Sequence, residues 1–103
     1  MTDPKALMDI SYILRGRYRV IAKVIQAEGN KKFPEGVKAK FVLIDLEQNK
    51  PRLLIDNHAP FGFHLHTALP HDKGSRLALD VKDFNEAYEE FLKEVERVLN
   101  NEE

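Results

Sequence analysis

The sequence predicts one α+β domain over 1–103: an antiparallel sheet of about four to five strands with a C-terminal amphipathic helix packed on one face. Three observations predict it. With 103 residues the chain is long enough for one core and too short for two ordinary domains. Its middle alternates apolar and polar residues with period two, most clearly from Arg17 to Ala27 and from Val37 to Leu46. Its last stretch changes to helical spacing, where Phe84, Ala87, Tyr88, Phe91, Val95, Val98 and Leu99 make one apolar stripe.

At the N-terminus, Asp3-Pro4 is a helix-start signal, and Leu7, Ile10 and Leu14 would share one face of a short helix flanking the sheet. The β-branched and aromatic residues of Ile10–Ile13 read equally well as a strand. Gly16 ends that segment. In the next strand Tyr18, Val20, Ala22 and Val24 point one way, while Arg17, Arg19 and Lys23 point the other. With Arg15, these arginines form a row that is either a track for phosphates or a solvated sheet face.

Glu28–Gly36 is a polar connection with turn-forming residues. Val37, Ala39, Phe41 and Leu43 then share a face opposite Lys38, Lys40, Val42 and Ile44, so the second half of this strand is covered on both sides. Glu47–Pro51 is a short link to a strand at Arg52–Asp56, and the two strands read as a β-hairpin. Arg76–Val81 is a further strand. Asp83 and Glu86 make a capping-box-like start to the helix Phe84–Leu99, with Glu89 and Lys93 as an i,i+4 pair.

Composition removes several classes of function. The charge balance of 16 basic against 17 acidic residues gives a net −1, so no global field draws the chain to nucleic acid or membrane, although local patches remain open. The absence of cysteine removes disulfides, thiolate catalysis and cysteine-ligated zinc. The N-terminal stretch lacks a secretory pattern, and no apolar run is long enough to span a bilayer. The expected location is cytoplasmic.

The chemistry concentrates between Asp56 and Arg76, which hold all four histidines, His58, His64, His66 and His71. If Gly62–His66 is extended, Phe61, Phe63 and Leu65 enter the core while Gly62, His64 and His66 line an accessible opposite surface. Two such imidazoles can converge on one phosphate or one metal ion. As acid–base groups near neutral pH they suit a phosphodiester, with Arg76 or Lys73 stabilising negative charge, and such chemistry needs no cofactor. With Asp56 added they make a set that holds Zn, Fe or Mn. The plainer reading leaves both rings decorating a solvent face. Asp56-Asn57 likewise has a plain reading, as side chains that bond nearby backbone amides and hold the turn before Pro60. Tyr18, Tyr88 and Phe91 read as core.

The run LLIDNHAPFGFHLHTALPHDKGSR, with the apolar strand and amphipathic helix after it, resembles the small DUF6516 proteins of the TumE-like toxin family of toxin–antitoxin systems. The matching features are Asp56-Asn57, His58, the Gly62-Phe63-His64-x-His66 segment, and Leu69-Pro70 before Arg76. The resemblance implies an intracellular growth-inhibiting toxin encoded beside a helix-turn-helix antitoxin or regulator. The chemistry of the residues, rather than the resemblance, makes His64, His66, Asp56 and Arg76 the candidate catalytic residues of a metal-independent ribonuclease, Asp56 orienting a histidine. The near-neutral charge departs from strongly basic RNA-cutting toxins. Two alternatives are a non-catalytic partner of the DNA-binding regulator and a small metal-binding protein. A homodimer through edge strands is a further expectation.

Overall fold

The computed structural model describes residues 5–27, 33, 36–57, 62–68 and 72–101, with the backbone alone at 67, 68 and 72–76. The expected Asp3-Pro4 cap, His58, Pro60, Phe61, Pro70 and His71 lie outside these residues.

The chain runs β1 (Ala6–Leu14), β2 (Tyr18–Gln26), β3 (Val37–Asp45), β4 (Lys50–Asp56), β5 (His64–Ala68), β6 (Asp72–Ala78) and α1 (Phe84–Asn101). The strands form one antiparallel sheet in the order β1-β2-β3-β4-β5-β6, each paired with its neighbour in sequence. The α+β class and the helix on one face are as expected, with six strands where four or five were anticipated.

The additional strand is β1, which replaces the short N-terminal helix. Period two wins because Met8, Ile10 and Leu14 then reach the core together. Arg15 and Gly16, with φ of 54° and 64°, turn the chain straight back, and Arg17 N–H donates to the Leu14 carbonyl at 3.0 Å. Two consecutive positive φ angles match the right-handed twist of the flanking strands, so Gly16 closes a hairpin rather than ending a helix.

The last strand is also displaced from the expected Arg76–Val81. It occupies Asp72–Ala78, and Leu79 and Val81 instead form the connection to α1 while still packing on the core. The hairpin of β3 and β4 is as predicted. Pro51 sits in β4 beside a register shift between Leu43 and Ile44, and β5 pairs only with Leu54–Asp56. The missing proline N–H therefore falls outside the β4–β5 ladder.

The core lies between α1 and one face of the sheet. Val20, Phe41, Leu43 and Ile55 from the strands meet Ala87, Phe91, Val95 and Leu99 from the helix. Tyr18 and Phe91 are buried and Tyr88 half-buried, so these aromatics are core as read. The helix begins as predicted: Asp83 Oδ1 accepts from Glu86 N–H at 3.0 Å, and Glu86 Oε1 accepts from Lys82 N–H at 3.1 Å. Lys93 pairs with Glu90 at 3.2 Å, one position nearer than the expected Glu89. At the other end Arg15 Nη1 donates to the Leu99 carbonyl at 3.4 Å, tying the β1–β2 turn to the last helical turn.

Candidate functional site

Strand register builds the site. Lys40, Asp56, His64 and Ala78 stand opposite one another across β3, β4, β5 and β6. Two residues along each strand, Val42, Leu54, His66 and Arg76 form the next row on the same face. In the row between them Phe41, Ile55 and Leu65 enter the core, while Leu77, the register partner of Leu65 on β6, is largely exposed. The histidines therefore occupy the outer face of the sheet while Phe63 and Leu65 enter the core, as the alternation predicts.

The two rings converge, with centroids 4.9 Å apart at 63°. Asp56 is the direct cross-strand partner of His64, and its Oδ1 lies 2.7 Å from His64 Nε2. Its Oδ2 lies 3.5 Å from His66 Nε2. On the far side of its ring, His64 Nδ1 is 2.7 Å from the Gly62 carbonyl. Gly62 has φ of 65°, a conformation that glycine adopts without strain, and this turn brings its carbonyl back to the ring two residues on.

Exposure differs from expectation. His64 is 2% exposed and the His66 side chain 11%, so the rings are not displayed on an open surface. The exposed member is Asp56, with 29% of its side chain accessible. It lines a cavity of about 230 Å3 with Phe33, Lys38, Lys40 and Leu54. Phe33 is itself buried, so the polar connection before β3 contributes an aromatic cover to this face. Sequence alternation assigned the face and could not foresee that cover. Arg76 is the register partner of His66, and its side chain lies outside the described residues, as does that of Lys73.

Asn57 is a structural residue, but it bonds β3 across the sheet rather than the nearby amides of the turn before Pro60, which lies outside the described residues. Fully buried, it accepts from Ala39 N–H at 2.9 Å and donates through Nδ2 to the Val37 carbonyl at 2.8 Å. Its amide continues the β3–β4 ladder one step past Asp56, which fixes the strand end that carries the site.

The arginine row resolves into separate contacts. Arg17 binds Asp45 through Nη2 at 2.8 Å and Nε at 3.3 Å, and Arg19 donates to Ser11 Oγ at 3.2 Å. Asp45 was not anticipated. It is fully buried, and its Oδ1 also accepts from Glu47 and Gln48 N–H at 3.0 and 3.1 Å. Hydrogen bonding from Arg17 holds the Asp45 carboxyl down at about 2. An aspartate ending a strand just before a polar turn was the available signal. This cluster joins β2 to the β3–β4 turn.

Comparison with family models finds no match, and comparisons with curated proteins and with solved structures find none either. Among the described residues no helix is long and apolar enough to cross a membrane.

Proposed function

We propose that this chain is the toxin-like component of an intracellular toxin–antitoxin module, directed at RNA, with Asp56, His64 and His66 as its working groups. The observation that carries the reading is convergence. Three residues of the motif, separated in sequence and drawn from β4 and β5, bring ligand atoms within 4.8 Å of one another. Asp56 is close enough to orient His64, and His66 stands beside Asp56. Lys38 and Lys40 line the cavity beside Asp56, and among the described residues neither makes an ion pair with a carboxylate. They supply positive charge where a phosphate would approach.

The test is controlled expression. Growth should arrest, the neighbouring gene should relieve it, and His64→Ala/His66→Ala should abolish it while circular dichroism shows a folded chain. Arrest that persists in the folded double variant removes the histidines from the mechanism.

Burial of His64 favours a second reading, a non-catalytic partner of a helix-turn-helix regulator, because an RNA chain reaches a covered ring poorly. That reading requires stable co-purification with the regulator and no RNA cleavage at any salt concentration.

A further inference from the structure

We propose that Asp56, His64 and His66 bind one divalent transition-metal ion of the zinc class, through one carboxylate and two imidazole Nε2 atoms. The proposal rests on the same three residues as the functional reading above, and not on toxicity.

The Gly62 carbonyl oxygen lies against His64 Nδ1. A carbonyl oxygen only accepts, so the 2.7 Å contact places a proton on His64 Nδ1. The other ring nitrogen, Nε2, lies only 2.7 Å from Asp56 Oδ1. Two electron-rich atoms at that distance need a positive charge between them. A second ring proton is one candidate, and a metal ion is the other.

His66 decides between them. Both of its ring nitrogens are buried and neither has a hydrogen-bond partner among the described residues. Asp56 Oδ1 is also buried without one, because its close contact with His64 is not aligned as a hydrogen bond. A proton on His64 leaves His66 Nε2 unsatisfied. An ion placed among the three residues takes up Asp56 Oδ1 and His66 Nε2 together, and leaves only His66 Nδ1 of these buried atoms without a partner among the described residues.

The spacing agrees. Two donors, each about 2.1 Å from a tetrahedral ion, stand about 3.4 Å apart. The 3.5 Å from His66 Nε2 to Asp56 Oδ2 matches that value, the 2.7 Å from His64 Nε2 to Oδ1 is shorter, and one ligand atom from each of the three residues falls within 4.8 Å of the others. The bond from His64 Nδ1 to a backbone carbonyl is the usual support of a ligating imidazole, because it fixes tautomer and ring orientation. A donor set of two nitrogens and one oxygen suits Zn, Fe or Mn, and a tetrahedral ion would keep one position for water or substrate.

The experiment uses the full chain produced without a histidine tag, stripped with chelator and titrated with zinc ion alone by calorimetry. The expected result is one ion per chain and a raised unfolding temperature, since a ligand that binds only the folded state stabilises it. Asp56→Asn and His66→Gln should each weaken binding by about 100-fold or more and remove the thermal shift. His66→Gln serves where a truncation fails to fold, because it keeps most of the ring's volume. No heat and no thermal shift at excess zinc overturns the proposal, as does undiminished binding by both variants. A chain that binds zinc without arresting growth overturns the toxin reading alone, and a toxic chain that binds no metal overturns this one alone.

Discussion

Asp45 shows how a single side chain can be both hidden from a sequence reading and open to test. Arg17 and two backbone N–H groups stabilise its ionised form, so its folded pKa of about 2 lies below the ordinary 3.8. An unfolded chain therefore binds a proton at this site across the window between those values, where the folded chain does not. The stabilisation is complete above that window and disappears as pH falls through it toward 2. Urea unfolding of the wild type should thus show a loss of stability from pH 4 to pH 2. Asp45→Asn should be less stable than wild type at pH 7, with a gap that narrows across the same interval. A gap that stays constant from pH 7 to pH 2 would mean that the buried carboxylate is not what holds the turn.

At the scale of elements, α1 was legible because seven apolar residues recur at one spacing, and nothing competes with that period. The stripe also makes a sharp comparison between neighbours. Phe91 is fully buried against Phe41 and Tyr88, with ring centroids 5.8 and 6.4 Å away, whereas adjacent Leu92 is 37% exposed. Phe91→Ala should cost about 3–5 kcal/mol, from lost transfer energy plus the cavity left behind. Leu92→Ala should stay within about 0.5 kcal/mol, as a substitution on the solvent side of the helix. Denaturant midpoints of the two variants decide it, and equal losses would contradict the packing of α1. By contrast β1 was ambiguous from sequence, because Ile10 and Leu14 satisfy both periods. Only the pairing with β2, set by the positive φ at Arg15 and Gly16, selects the strand.

At the scale of the molecule, one helix covers one face of a six-stranded sheet, and the other face has to be read separately. Alternation in sequence assigned His64, His66 and Leu65 to the correct faces, yet it carries no information on what lies over the outer one. His64 is nonetheless buried, so the site's composition was legible and its accessibility was not. The same face holds a groove of about 420 Å3 over β2 and β3, floored by Ile21, Ile25, Val42 and Ile44. Val42 and Ile44 belong to the half-strand expected to be covered on both sides, although only Val42 of the four is buried. Consecutive residues of β2 separate the two faces experimentally. Val20→Thr places a hydroxyl in a fully enclosed site and should cost about 1–3 kcal/mol. Ile21→Thr keeps the β-branched shape beside the groove, where water can reach the new hydroxyl, and should cost less than about 1 kcal/mol. Both changes are measured by equilibrium unfolding. If Ile21→Thr were the more damaging of the two, the outer face of β2 would be packed as a second core and the groove over β2 and β3 would not be open to water.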